Sequence, residues 1–525
     1  EVGGLANMLA CHLGFSDGER ADVATFWQTG NLCGGPGLKA VDMFRAVHDG
    51  RIKFLWVMAT NPAVSMPDAG FVREALAKCP TVVVSDVIAD TDTATFAHVR
   101  LPALAWGEKD GTVTNSERRV SRQRALFAPP GAARADWTIV ADVAQRMGFA
   151  GFDWANAAGV FREYAGMTAL AVKHGKLLDL TAKVGLSDAD YEGMEPFLWG
   201  GRHPLAGRLM RHVPVEARNR AFDPDYPLRL NTGRYRDQWH TMTRTGLSQR
   251  LSHHLPEPFA MLHPDDAQTY RISDGGFARL TSRHGEALLR ARVSVGQRKG
   301  EVFAPIHWTA ETSSHGRVGA LVQPATDCFS GQPELKATAI SATPVHFAYE
   351  GFLLSRETIP LDADIWFSRV TIEGAHGALL ATDLNGATIH EQIQRVLDDC
   401  TSAEFHDEAR DEHRLAFFKD ERLEACLFLA PSGRGLSWNG LKGFFASDTL
   451  GRLERLAILS GQSAAGLTDT GPVICACFGV SLNTIRDLIA KDPITSAEEI
   501  GAHLKAGTNC GSCLPELRRL IKEQN

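Results

Sequence analysis

The chain has 525 residues, 44% of them hydrophobic and 22% charged, with a formal net charge of −7. That composition is ordinary for a folded enzyme of roughly three or four domains, and its acidic balance excludes a general nucleic-acid binder, which needs a basic footprint to displace counterions. No apolar run approaches the ~18 residues of a membrane span, and the first residues carry no secretory or twin-arginine signal, so a cytoplasmic place is expected.

The chain opens without Met, inside an amphipathic segment (Leu5, Met8, Leu9, His12). This predicts a start within a longer protein; a processed terminus is the other reading. Helical spacing follows at Val41, Phe44 and Val47. The apolar run Phe54-Leu55-Trp56-Val57-Met58 then ends at Thr60-Asn61-Pro62. Residues 71–79 are helical again, and the β-branched run Thr81-Val82-Val83-Val84 ends at Ser85-Asp86. Apolar runs without alternation predict strands buried on both faces, and the helices between them predict parallel βαβ units. Ligands of such sheets sit at the C-terminal strand ends, where Asn61, Ser85 and Asp86 lie. The other reading makes Asn61-Pro62 a turn and Asp86 a helix cap.

Residues 140–147 are amphipathic, and Pro196 to Pro227 is crowded with Gly, Pro and Arg, as a connection would be. From 226 to 341 short alternating runs are punctuated by Asp274-Gly275-Gly276 and His284-Gly285, which predicts a β-barrel. Residues 342–470 mix strand and helix patterns without a chemical motif. Residues 472–525 read as a compact helical tail, with Ser481 and either Thr495 or Ser496 as helix caps and Pro515 in a first turn.

Six of the ten cysteines are scattered (Cys11, Cys33, Cys79, Cys328, Cys400, Cys426) and read as small buried apolar residues. The other four form two close pairs, Cys475-Ala476-Cys477 and Cys510-Gly511-Ser512-Cys513. They suit an iron–sulfur cluster, with structural zinc and two disulfides as alternatives. The one-residue spacer speaks against zinc, and a cytoplasmic location speaks against disulfides. A second donor-rich segment runs from Thr232 to Thr241 and on to Arg244. Arg234, Arg236 and Arg244 suit anionic oxygens, and the backbone around Gly233 can form an anion nest; a polar interdomain loop is the alternative. The run Arg118, Arg119, Arg122 and Arg124 either neutralises phosphates or is a solvated helix face, the latter favoured for Arg122 and Arg124. The pair His253-His254 reads as a surface loop.

The tail, through its four cysteines with Val473-Ile474 and Thr508-Asn509, resembles the bacterioferritin-associated ferredoxin-like [2Fe-2S] domain. The Thr232–Thr241 segment resembles the signature of the molybdopterin-dinucleotide-binding domain of the dimethyl sulfoxide reductase superfamily, in wording closest to the assimilatory nitrate reductases. Segments 59–65, 84–87, 106–119, 256–259, 262–267 and 331–336 resemble the same family. The resemblance implies a multidomain α/β plus β-barrel fold. Its parts are a parallel-sheet nucleotide-binding domain (1–165), a connecting segment (166–225), a double-psi-type barrel (226–341), a mixed α+β segment (342–470) and a small helical [2Fe-2S] domain (472–525).

It further implies that Asn61, Ser85, Asp86, Lys109 and Asp136 face one molybdopterin guanine dinucleotide. From the barrel, Thr232, Gly233, Arg234, Trp239, His240, Thr241 and Lys336 would contact the cofactor, with Trp308 nearby. Where related enzymes carry an Asn, this chain reads Gly319-Ala320. Cys475, Cys477, Cys510 and Cys513 would hold the [2Fe-2S] cluster. The implied activity is reduction of nitrate to nitrite at a molybdenum bis-molybdopterin guanine dinucleotide centre. Electrons would come from a flavoprotein, ferredoxin or flavodoxin. The family's [4Fe-4S] motif and molybdenum ligand are not found here, so this chain would not act unaided, and no catalytic residue is assigned. A formate dehydrogenase-type enzyme and a non-catalytic electron-transfer or cofactor-binding fragment are the competing readings.

Overall fold

The computed structural model describes residues 8–200, 212, 223–252, 254–328, 330–462 and 471–524; His253 lies outside them. The chain divides into two compact units, the first made of Glu1–Thr60, Phe71–Ala221 and Pro324–Glu334, the second of Asn61–Gly70, Phe222–Gln323 and Leu335–Asn525.

The first unit is built on β1 (Phe54–Met58), β2 (Thr81–Asp86) and β3 (Val99–Pro102), a parallel sheet in that order. Val82, Val83 and Val84 are all buried, which is why their run shows no alternation. Helix Ala40–His48 buries Val41, Phe44 and Val47 on one face, as their spacing requires. A second small sheet is antiparallel, made of β4 (Gly111–Thr114), β5 (Arg119–Gln123) and β6 (Phe197–Leu198). Helix Ala157–Lys173 is capped by the Asn156 side chain, which accepts from Gly159 N–H, and it runs through position 165. Its Ala158, Phe161 and Ala165 share a core with Leu180 and Tyr191, so no break falls there.

The expected solvated helix face at Arg122 is corrected. Arg122 lies on β5, and its side chain is 1% exposed. Its guanidinium meets Asp110 at 2.8 Å and Glu192 at 2.7 Å, and sits 4.1 Å from the Tyr191 ring centroid. Two carboxylates and a ring face thus replace water around the cation. Arg124 stays exposed beside Glu192. Of the scattered cysteines, Cys79, Cys400 and Cys426 are buried as expected, but Cys33 and Cys328 are exposed.

The second unit contains a closed barrel. Its strands are β7 (Leu228–Gly233), β8 (Phe259–Leu262), β9 (Phe277–Thr281), β10 (Glu286–Val293), β11 (Glu301–Pro305) and β12 (Lys336–Val345), in the order β10-β8-β11-β7-β12-β9. Closure leaves no unpaired edge, and Leu228, Leu230, Leu262, Leu280, Leu289 and Ile340 fill the interior. Residues 342–462, the described part of the chemically silent 342–470, continue into a six-stranded antiparallel sheet. Its strands are β13 (Tyr349–Ser355), β14 (Ile365–Ile372), β15 (Ala375–Thr382), β16 (Thr401–Asp407), β17 (Glu412–Lys419) and β18 (Arg422–Pro431), in the order β14-β15-β13-β18-β17-β16. Helices Gly386–Val396 and Arg452–Ser460 accompany it. Barrel and sheet are fastened by Arg290, which reaches Glu257 at 3.2 Å and Glu350 at 2.7 Å, and by Trp366, which donates to the Leu288 carbonyl at 2.9 Å.

The terminal segment pairs β19 (Val473–Cys475) with β20 (Val480–Ser481) and adds helices Leu482–Lys491, Ala497–Leu504 and Leu514–Gln524. Ile474, Ile485, Ile500, Leu517 and Leu520 form its core. Ser496 caps the second helix by accepting from Glu499 N–H, while Glu499 reaches back to Thr495 N–H. Ser481 occupies the N-cap position of the first helix, but its hydroxyl bonds the Thr484 hydroxyl at 2.8 Å rather than the backbone. A core this small is marginal by itself, and a bound metal group would add to its stability. No helix among the described residues is long and apolar enough to cross a membrane.

Candidate functional site

The expected site residues fall into two sets, one on each unit. In the first unit β2 delivers Ser85 and Asp86 at its C-terminal end. The Ser85 hydroxyl, buried, accepts from Trp56 Nε1 at 2.8 Å, and Asp86 Oδ1 accepts Val87 N–H at 2.7 Å. Lys109 and Asp136 meet at 2.6 Å through Oδ2. Asp136 opens helix Asp136–Arg146 and its other oxygen, Oδ1, is buried without a hydrogen-bond partner. A buried carboxylate oxygen lacking a donor costs about 1–3 kcal/mol, a penalty that a ligand N–H would remove.

In the second unit Asn61 donates to the Thr241 hydroxyl at 3.2 Å. Thr241 is the middle of three consecutive residues in the left-handed region, His240 (φ 50°), Thr241 (φ 50°) and Met242 (φ 60°). None is glycine, so each costs about 1–2 kcal/mol of backbone strain. Such strain is held where surrounding contacts fix an unusual backbone path, commonly at binding sites. One of those contacts is the Thr241 N–H donating to His307 Nδ1 at 3.3 Å. Burial first, then the nearby His240 and Arg234 charges, push the His307 pKa down to about 4, so the ring is neutral and can accept. Next to it, Trp308 is fully buried and its Nε1 has no hydrogen-bond partner.

The ends of β7 and β12 assemble the rest. The Thr232 hydroxyl donates to the Leu335 carbonyl at 2.6 Å. A Cβ on Gly233 would stand 3.0 Å from the Phe303 ring and 3.8 Å from Lys336 Nζ, so a side chain there would crowd the lysine. Arg234 and Lys336 are exposed, and the Arg234 guanidinium lies 6.0 Å from the Trp239 ring centroid. The result is a cationic rim around a glycine turn, which suits a diphosphate.

The His307 geometry gives a pH prediction. A histidine whose folded pKa lies below the ordinary 6.5 contributes stability that is complete above that value and is lost as pH falls toward about 4. Wild type should therefore lose about 2 kcal/mol relative to His307→Gln across that window, allowing for partial exposure. Urea titrations between pH 7.5 and pH 4 measure it, and a wild-type advantage constant with pH would refute it.

At the chain's end the four cysteines approach as two pairs. Cys477 Sγ lies 3.3 Å from Cys510 Sγ, and Cys513 stands beside Cys475, burial first and that neighbouring thiol second pushing the Cys513 pKa up. Cys475 and Cys513 are buried, Cys477 is half-buried and Cys510 exposed, and none forms a disulfide. Among the described residues the only group of three His, Cys, Asp or Glu ligand atoms within 4.8 Å of one another is His406, Asp411 and His413, on the β16–β17 hairpin. The four sulfurs therefore do not form one tight tetrahedron.

Sequence reading missed a charged network. His254 is not on a surface loop; its side chain is 4% exposed and meets Asp237 at 2.7 Å and Glu516 at 3.2 Å. Burial opposes the His254 charge, but these carboxylates outweigh it and hold its pKa above the ordinary value. Asp237 and Glu516 are held below theirs, against burial, by His254 and Arg236. The adjacent opposite charges of Arg236-Asp237 are a sequence signal that could have led here.

Comparison with known proteins matches this arrangement part by part. Residues 10–146 match the molybdopterin oxidoreductase model, 228–339 the molydopterin dinucleotide binding domain and 473–523 the BFD-like [2Fe-2S] binding domain. Three separate parts of the chain are thus similar to domains of molybdopterin oxidoreductases, among them one that binds a molybdopterin dinucleotide and one that binds a [2Fe-2S] cluster. A nitrate reductase of Klebsiella oxytoca is 40% identical over 99% of the chain, and one of Shewanella frigidimarina 32% over 100%. A formate dehydrogenase alpha subunit of Methanocaldococcus jannaschii is 34% identical over 65% of the chain and 50% of its own length. The chain spans 61% of the length of each of the two nitrate reductases.

Proposed function

We propose that this chain is the part of a cytoplasmic nitrate reductase that binds a molybdopterin guanine dinucleotide and receives electrons through a [2Fe-2S] cluster. The observation that carries the reading is the joint presence of the dinucleotide-binding barrel and the paired-cysteine tail, matched by nitrate reductases over 99% or more of the chain. The formate dehydrogenase relative aligns over 65% only.

The chain's own residues fit such a cofactor. Asp136 Oδ1 and Trp308 Nε1 are a buried acceptor and a buried donor without partners, in the segments where the family places contacts. Lys109, Asp136, Ser85 and Asp86 would hold nucleotide and diphosphate groups from the first unit. Asn61, Thr232, Gly233, Arg234, Trp239, His240, Thr241 and Lys336 would do so from the second. Bound molybdenum supplies the two-electron chemistry of oxygen-atom removal. The protein's share is to neutralise the diphosphate, fix the cofactor's orientation and deliver electrons.

The sulfur geometry supports a cluster over zinc. With Zn–S near 2.3 Å, a tetrahedral site needs all four sulfurs about 3.8 Å apart. Two separate close pairs instead suit two irons, one held by Cys475 and Cys513 and the other by Cys477 and Cys510. The electron donor would be a flavoprotein, ferredoxin or flavodoxin, and a [4Fe-4S] centre would belong to the part of the protein upstream of this chain.

Reduced viologen dyes supplied to this chain joined to the upstream part test the activity. Nitrate-dependent dye oxidation with stoichiometric nitrite is the expected result. Formate-dependent dye reduction without nitrate turnover would instead favour the formate dehydrogenase reading. Turnover by this chain alone would contradict its need for the upstream part.

A further inference from the structure

One side chain joins the dinucleotide-binding loop to the [2Fe-2S] domain. Arg236 lies between Gly233 and His240, and its side chain is 17% exposed. Its Nη2 donates to the Ile474 carbonyl at 2.5 Å and its Nη1 to the Ser512 carbonyl at 3.2 Å. These two peptide groups immediately precede Cys475 and Cys513, the buried cysteine pair. Nη1 also meets Glu516 Oε2 at 2.9 Å, and Nε meets Asp237 Oδ2 at 2.9 Å. His254 bridges the same two carboxylates, and Arg250 donates to the Cys477 carbonyl at 3.4 Å.

The chemistry of this contact is specific to a guanidinium. A planar fork can serve two carbonyls and the Asp237 carboxylate at once while lying against the Glu516 carboxylate, and its charge does not titrate in the working range. A lysine ammonium, a single point charge, cannot span the same three acceptors. The donors converge on the strand and turn that carry the inner cysteines, whereas Cys510, in the outer pair, faces solvent. The tail therefore presents one side of its sulfur set to the cofactor loop and the other to the outside.

We propose that Arg236 is the positioning residue that docks the [2Fe-2S] domain on the dinucleotide-binding loop with the Cys475–Cys513 side inward, and that it raises the cluster's reduction potential. A fixed positive charge beside these sulfurs favours the reduced cluster, which carries one more negative charge. The inference rests on the cluster reading above. It assigns the cluster's inner iron to the path toward molybdenum and its outer iron to the donor protein. Asp237 and Glu516 hold the guanidinium in place, and His254 bridges the same two carboxylates.

The experiment compares wild type with Arg236→Met and Arg236→Lys in the full chain, reading three quantities. Iron and sulfide content should be unchanged in both variants. The midpoint of the cluster, from an EPR-monitored redox titration, should fall in Arg236→Met by a tenfold change in the reduction equilibrium, about 59 mV for one electron. Arg236→Lys should recover part of that shift. Limited proteolysis should release the terminal domain faster in both variants, because neither can reproduce the fork.

An unchanged midpoint in Arg236→Met would overturn the tuning role, and unchanged proteolysis would overturn the docking role. Loss of iron in Arg236→Met would also overturn the proposal, since the residue would then be needed to assemble the cluster. Zinc without iron in wild type would defeat the cluster reading itself and the tuning role with it, while proteolysis would still decide docking.

Discussion

Cys513→Ser should leave the chain without its visible absorption and with iron reduced from about two per chain to near zero. Cys513 is buried beside Cys475, so a thiol from solvent cannot reach its place. Serine is a weak ligand for iron, and the hydroxyl would be left buried at the end of a turn whose φ at Gly511 is +71°. Because residues 473–523 form so small a core, losing the cluster should also unfold them. The rest of the chain rests on separate cores and should keep its melting transition. Iron analysis, a visible spectrum between ~400 and ~550 nm and limited proteolysis report the outcome. Full iron and unchanged colour in the variant would remove Cys513 from the ligand set. Zinc without colour in wild type would reduce the tail to a structural module.

Gly319→Ala should be the most damaging single-methyl change near the proposed dinucleotide site. A Cβ at 319 would lie 2.5 Å from the Val64 carbonyl oxygen and 2.9 Å from that of Met66. These are backbone atoms of the segment that begins at Asn61, and they cannot rotate away as a flexible side chain would. Overpacking of this kind costs about 1–3 kcal/mol, and here the movement would pull Asn61 from Thr241. The expected result is a lower melting temperature together with a several-fold drop in guanine dinucleotide recovered by extraction. Unchanged dinucleotide content would mean that Asn61 does not bear on retention.

What sequence made legible follows from how local the signal was. The run Val82-Val83-Val84 announces a strand covered on both faces, and β2 is that strand. The cysteine pairs need only their spacing. Interactions that join distant parts of the chain left no such mark. Arg122 is buried because Glu192, 70 residues away, meets it. His254 is buried because Glu516, 262 residues away, does the same. In both cases the local pattern is that of an exposed polar residue, and only the folded chain supplies the partner. The six-stranded sheet was unreadable for a related reason. β13 and β18 pair with neighbours on both sides and lose their alternation, while β16 on the edge is largely exposed, so its strands share no common pattern.

The two units trade short lengths of chain. Asn61–Gly70 belongs to the second unit while its flanks belong to the first, and Pro324–Glu334 belongs to the first while its flanks belong to the second. A genetic exchange that transplanted either unit whole would have to cut the gene at several places and keep every reading frame. The 473–523 segment, matched as a domain of its own, is one continuous stretch that trades no chain with the first unit. Recombination should therefore add, remove or replace the tail far more readily than it reshuffles the rest, and chimaeras joined just ahead of the tail are the ones expected to be recovered.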